Sequence, residues 1–250
     1  MAQFAGKVVL VFGGSSGIGR AAAVAFAREG ASVAVAARNE QGAAETVKAV
    51  IAAGGQGFVA RTDVTRPSDV EATVKATQDR FGGLDCAFNN AGWEGTRVPT
   101  HEIALADWQK MMDIKLNGTW YCMKHEIAAM LPRGGAIVNM AGNWGLTGAA
   151  NYASYCAAAH GIMGLTRAAA LEYAGRRIRV NAVCPRAVDA PLLERMTGGD
   201  RAAISRLGAA MAMGRPASVA EVAASVLWLC SDAASYVNGH GLVLDGGGRR

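Results

Sequence analysis

Long apolar runs, clustered charge and an ordered cysteine pattern are all missing from this 250-residue chain. No segment reaches the roughly 18–20 apolar residues that a membrane helix needs, so no membrane partner is expected. The 25 Lys and Arg against 20 Asp and Glu leave a net charge of +5, yet the basic residues are scattered apart from Arg249-Arg250. Nucleic-acid binding calls for a clustered basic face, so none is expected. The cysteines (Cys86, Cys122, Cys156, Cys184 and Cys230) are odd in number, widely spaced and mostly set in apolar stretches. That argues against a disulfide framework or a zinc site and for reduced thiols. His101, His125, His160 and His240 show no ligand spacing, so no metal is expected. A strand pattern begins almost at the N-terminus, which leads to the expectation of no signal peptide and a cytoplasmic location.

Glycine and small apolar residues are abundant: 32 glycines and 51% hydrophobic residues. The run Val8-Val9-Leu10-Val11-Phe12 reads as a buried strand. It feeds Gly13-Gly14-Ser15-Ser16-Gly17-Ile18-Gly19 and then a helical stretch at 20–29. Strand, glycine turn and helix N-terminus together make a phosphate site. Glycines let the backbone approach a pyrophosphate, and the helix end offers unpaired N–H groups and the positive end of its dipole. Further strands are predicted at 31–37, 57–62, 84–89, 135–140, 178–183 and 241–245. Helices are predicted at 41–53, 67–81 with Ser68 as cap, 105–130 with a kink near Gly118, 151–173 and 219–229. Repeated βα units predict a doubly wound, Rossmann-type parallel sheet with helices on both faces. No linker interrupts residues 1–250, so one domain is expected: 1–140 mainly for cofactor binding, 141–250 for the active site and substrate. Residues 186–215 break the alternation after a strand's carboxyl end, where open α/β sheets bind ligands, and read as a substrate lid.

The ordered motifs resemble the short-chain dehydrogenase/reductase family over nearly the whole chain. They are Gly13-x-x-x-Gly17-Ile18-Gly19, Asp63-Val64, Asn89-Asn90-Ala91-Gly92, Ile137-Val138-Asn139, Tyr155 with 161–166 behind it, Arg179-Val180-Asn181-Ala182-Val183-Cys184-Pro185, and Asp245-Gly246-Gly247. The resemblance implies a nicotinamide cofactor and a catalytic Asn, Ser, Tyr and Lys, with Tyr and Lys four residues apart on one helix face. Tyr155 matches the Tyr. Ala159 stands at the Lys position, Gly142 at the Ser, Lys115 at the Asn, Arg186 at the Gly after Pro185, and Ala190 at the Thr that meets the nicotinamide amide; Asn117 lies two positions late and should face elsewhere. An unassisted tyrosine ionises near pH 10, and losing one donor to a developing oxyanion typically costs about 10²- to 10³-fold. Tyr155 is thus the expected proton donor, Lys115 the replacement lysine, Asn143 a replacement donor and His160 a packing or capping residue.

Cofactor contacts are expected from Gly13, Ser15, Ser16, Gly17, Ile18, Gly19, Arg38, Asp63, Val64, Asn90, Ala91, Gly92, Tyr155 and Pro185. An NAD-using relative would carry a carboxylate after the second strand. Here stand Ala37 and Arg38, and a guanidinium grips a 2′-phosphate, so NADP(H) is favoured over NAD(H). Substrate contacts are expected from Trp93, Gly142, Asn143, Trp144, Arg186 and Leu192, with Tyr152, Leu193 and Met196 nearby and Glu94 as an exposed loop carboxylate. Such a pocket suits a bulky apolar or aromatic small molecule. Three functions stay open: an atypical NADP(H)-dependent oxidoreductase using Tyr155 and Lys115, a non-redox enzyme keeping the cofactor as scaffold, and a non-catalytic cofactor-binding subunit. The resemblance further implies a homotetramer or homodimer.

Overall fold

The computed structural model describes residues 2–248; the Arg249-Arg250 pair lies outside them. In chain order the elements are β1 (Val8–Phe12), α1 (Gly17–Arg28), β2 (Ser32–Ala37), α2 (Glu40–Ala52), β3 (Gln56–Arg61), α3 (Pro67–Phe81), β4 (Cys86–Asn89), α4 (Leu105–Met111), a π-helical turn (Met112–Asn117), α5 (Gly118–Met130), β5 (Gly135–Met140), α6 (Ala153–Tyr173), β6 (Ile178–Pro185), β7 (Val188–Asp189), α7 (Pro191–Met196), α8 (Arg201–Ala209), β8 (Ala217–Ser218), α9 (Val219–Cys230) and β9 (Gly241–Leu244). A seven-stranded sheet runs β3-β2-β1-β4-β5-β6-β9, and every pairing in it is parallel.

The strand runs are apolar without alternation because both sheet faces are covered. Val9 to Phe12 are wholly buried. One face packs Val9, Val11 and Val33 against Phe26 of α1 and Val226 and Leu229 of α9. The other packs Leu10, Phe12 and Ile137 against Val70 and Val74 of α3 and Met123 and Met130 of α5. The expected single domain and doubly wound sheet are therefore present. Strand order reverses between β1 and β4, which opens a crevice at their carboxyl ends.

Several boundaries differ from expectation. Pro67 occupies the first turn of α3, and Arg66, extended at φ −111° and ψ 106°, is its N-cap. The residue before a proline is held out of the helical region, so Ser68 lies inside the helix rather than capping it. The expected kink near Gly118 is the π-helical turn that ends just before it. There α5 approaches the Asp63-Val64 loop so closely that a Cβ on Gly118 would lie 2.9 Å from Val64. The 186–215 segment holds α7, α8 and the short strand β7, which pairs with β8. No described helix is long and apolar enough to cross a membrane.

Candidate active site

The loop between β1 and α1 is fixed from behind. Gly13 and Gly14 donate their N–H groups to the Ala36 carbonyl at 2.8 and 3.3 Å. Thr46 Oγ1 donates to the Gly14 carbonyl (2.9 Å), and Arg20 Nη2 to the Ser15 carbonyl (2.7 Å). Gly13 has φ +74°, and a Cβ there would sit 2.7 Å from Ala91 N. Asn90 Nδ2 donates to the Gly13 carbonyl (3.1 Å), tying the loop to the end of β4. A Cβ on Gly19 would run into that same carbonyl. The carbonyls thus face the protein, while the first N–H groups of α1, which Ser16 leaves without a side-chain cap, face the crevice.

The crevice is a cavity of about 390 Å³. The expected cofactor residues line it, except Gly19, which lies behind the loop and supports its geometry. Asp63 is at one wall. Burial alone would raise its pKa, but N–H and Oγ–H bonds from Thr65 (3.0 and 2.8 Å), with Arg38 and Arg66 nearby, hold it below the usual carboxylate value. Arg38 lines the cavity beside Ala37; the neighbouring Glu40 is paired with Arg61 at 3.1 Å. Asn39 caps α2 by accepting from Gly42 N (3.0 Å).

At the other end, Tyr155 projects from the first turn of α6 into the cavity. Trp144 meets its ring edge-on (centroids 5.2 Å apart) and stacks on Tyr152 (4.6 Å). Lys115, 2% exposed, extends from the π-helical turn until Nζ stands 4.5 Å from the Tyr155 ring centroid and donates to the Met140 carbonyl at 3.1 Å. Among the described residues no carboxylate lies within ion-pairing distance of it. Gly142 has φ +80° and ψ 162° and faces the phenol; a Cβ there would lie 3.1 Å from Tyr155 Oη.

Trp93, Gly142, Arg186 and Leu192 line the cavity as expected, joined by Leu193 and Met196. Asn143, Trp144 and Tyr152 do not. Asn143, which opens a 3₁₀ turn (Asn143–Gly145), donates from Nδ2 to Thr147 Oγ1 (3.2 Å) just beyond that turn and lies outside the cavity lining, so it is no substitute donor, and Trp144 buttresses Tyr155 from outside. Asn117 bonds back to Asp113 (3.0 Å), turned elsewhere as expected, whereas His160 neither packs nor caps: it is exposed in mid-α6 and bonds the Cys156 carbonyl one turn back (2.9 Å). Glu94 is not a free loop carboxylate. Its Oε1 accepts from Arg195 Nε at 2.9 Å, bridging the loop after β4 to α7 across the cavity mouth. Although burial alone would raise its pKa, that bond keeps it below the usual carboxylate value. Of the expected lid, 186–196 reaches the cavity through Arg186, Val188, 190–193, Arg195 and Met196, whereas α8 does not. Sequence reading missed Ile114 and Met140 as lining residues and the Glu94–Arg195 bridge. For Ile114 the only signal was the 3.6-residue period, which the π-helical turn breaks; Met140 ends β5, where that period does not apply.

A family model described as enoyl-(acyl carrier protein) reductase matches residues 13–248. The chain is 43% identical over 249 residues to a 2,5-dichloro-2,5-cyclohexadiene-1,4-diol dehydrogenase of Sphingobium indicum, covering 99% of this chain and 98% of the relative. It is 39% identical over 245 residues to a cyclohexanol dehydrogenase of an Acinetobacter species, covering 98% and 95%. The crystal structure of carveol dehydrogenase from Mycobacterium avium in complex with NAD superposes with a TM-score of 0.93 at 29% identity, over 99% of each chain. With the glycine loop, the reversed strand order and Tyr155 at the crevice, these place the chain in the short-chain dehydrogenase/reductase family of oxidoreductases, whose dehydrogenases use a nicotinamide cofactor. The crevice fits such a group. Gly13, Ser15, Ser16, Gly17 and Ile18 line it at the start of α1, where Ser16 makes no side-chain cap bond, and such a helix N-terminus suits a pyrophosphate.

Proposed function

We propose that the protein is an NADP(H)-linked oxidoreductase that interconverts ring-borne secondary alcohols and ketones, with Tyr155 moving the proton and Lys115 standing in for the absent helix lysine. The observation that carries this reading is the Lys115 ammonium held 4.5 Å over the Tyr155 ring inside the nucleotide crevice. The names of the two sequence relatives, both dehydrogenases of six-membered ring alcohols, support the substrate class. So does a mouth built from Trp93, Leu192, Leu193 and Met196. The adenine-side ribose would meet Arg38 and no carboxylate from Ala37 or Asn39, which supports a 2′-phosphate.

The bound nicotinamide supplies or accepts the hydride at the substrate carbon. The protein's own part is proton delivery and positioning. Tyr155 Oη hydrogen-bonds the substrate oxygen and gives it a proton in the reducing direction. Negative charge that grows on Oη is offset by the ammonium over the ring, in a cavity that Ile114, Met140 and Leu193 also line. The Met140 carbonyl fixes the lysine, and Trp144 fixes the ring. Gly142 leaves space beside Oη for the substrate oxygen. Leu105, Leu171, Trp120 and Trp228 are large, apolar and exposed, which supports a homo-oligomer (tetramer or dimer), measurable by light scattering.

The test is reduced-nicotinamide absorbance during turnover of a cyclohexanol and cyclohexanone panel. Stoichiometric signal change with the phosphorylated cofactor is expected. Product formed with no such change would make the chemistry non-redox; tight nucleotide binding with no product at all would leave a binding subunit.

A further inference from the structure

Lys115 is the only lysine among the buried described residues, and nothing there pairs its charge. A lysine kept only for packing ordinarily extends its head to water or to a carboxylate. Here the head lines a cavity open to small molecules. The Met140 carbonyl takes one of the three N–H donors of the ammonium. On the same side, Gly142 presents no side chain, so Tyr155 Oη is reachable. An amine and a phenol lining one cavity are what addition to a carbonyl requires.

We infer that Lys115 forms a Schiff base with small ketones and aldehydes admitted to this cavity, with Tyr155 as the acid that assists loss of water. This rests on the assignment of Tyr155 and Lys115 to the reacting centre but needs no nicotinamide. Once the Lys115 ammonium has given a proton to solvent, its lone pair adds to the carbonyl carbon, forming the C–N bond. The carbonyl oxygen takes a proton from Tyr155 Oη, and the phenol recovers one from the attached nitrogen. Tyr155 Oη then protonates the new hydroxyl as the C–O bond breaks, the oxygen leaves as water, and the last proton on nitrogen returns to the phenol oxygen, leaving a C=N bond. Amine plus carbonyl gives imine plus water, with no change of oxidation state. Protonation of that nitrogen makes the neighbouring C–H acidic, so the ketone exchanges its α-hydrogens with solvent through an enamine.

The test uses the full chain without nucleotide, cyclohexanone as the probe and sodium borohydride as the trap. One cyclohexyl group per chain is expected, mapped by peptide mass to Lys115. The same sample in D₂O without borohydride should exchange the α-hydrogens of cyclohexanone. Lys115→Arg keeps a cation but has no amine able to form the imine, and should lose both signals. Tyr155→Phe should slow trapping by about 10²-fold, the low end of general-acid assistance. Labels spread over exposed lysines such as Lys48 and Lys75, or no adduct, overturn the inference; the wild-type peptide map decides this even if a variant misfolds. Nicotinamide turnover without an adduct leaves the proposed redox function standing and removes this one; an adduct without turnover does the reverse.

Discussion

The two ends of the crevice differ in how they are built. At the nucleotide end, what is held in place is backbone. The N–H groups of Gly13 and Gly14 and the carbonyls of Gly13, Gly14 and Ser15 are tied down by Ala36, Asn90, Thr46 and Arg20, and the close approach to Ala91 tolerates no Cβ. At the proton-transfer end, side chains do the work, and they come from elements far apart in sequence: Lys115 from the π-helical turn, Tyr155 from α6, the Met140 carbonyl from β5 and Trp144 from the 3₁₀ turn between them. Backbone geometry allows few sequence solutions. A charge required at one point in space can be delivered from more than one element, and here the helix position, Ala159, is empty of charge while the neighbouring helix supplies it.

Both ends stand on one polar layer, and there the largest effect is expected. Glu126 is wholly buried, and burial pushes its ionisation from 4.5 up to about 8, opposed by the Asn89 amide. Asn89 Nδ2 also donates to Asn139 Oδ1 (3.0 Å), and Asn139 reaches Thr166 (3.0 Å). Glu126 Oε1 and Asn89 Oδ1 have no partner, which suits a neutral carboxyl with a proton to donate. The folded state keeps a proton that the unfolded chain gives up. This contribution is therefore complete below about pH 4.5 and is lost as pH rises through about 8. The slope amounts to several kcal/mol, at about 1.4 kcal/mol per pH unit. Denaturant midpoints should fall over that window, and Glu126→Gln should flatten the fall. An unchanged slope in the variant would place the pH dependence elsewhere.

The next tests separate the two ends. Lys115→Ala should lower kcat by about 10²- to 10³-fold with a far smaller change in nucleotide affinity. Equal losses in both would erase the division between the ends. Arg38→Asp should act the other way, weakening NADPH binding by about tenfold to a hundredfold, the worth of a charged hydrogen bond, while NADH binding holds or improves. Tighter binding of NADH by the unmodified protein would overturn the cofactor preference. Gly142→Ser has the smallest expected effect on stability, about 1–3 kcal/mol lost, because φ +80° with ψ 162° belongs to a region only glycine enters readily. Restored ketone reduction in that variant would mean the loop still accepts the family's usual hydroxyl.

That last residue shows how far sequence reading reached. The resemblance implies a serine where Gly142 stands, but not that the backbone there, at φ +80°, favours glycine. It likewise implies an asparagine where Lys115 stands. Whether its ammonium reaches Tyr155 depends on a π-helical turn that the 3.6-residue period does not reveal. Asn143 and Trp144 lie beside the expected donor position and still turn away from the cavity. Glu94 reads as a loop carboxylate until α7 folds back and brings Arg195 to it.

The sequence by itself determined the parallel sheet, its helices and the phosphate-facing loop. Continuous apolar strands, strand-to-helix alternation and obligatory glycines are local requirements written in consecutive residues. Only the tertiary structure decided where the cation stands, which oxygens in the buried layer lack partners and which part of the 186–215 segment covers the crevice. Those depend on distances between residues 25 to about 100 positions apart, and no spacing along a chain encodes them.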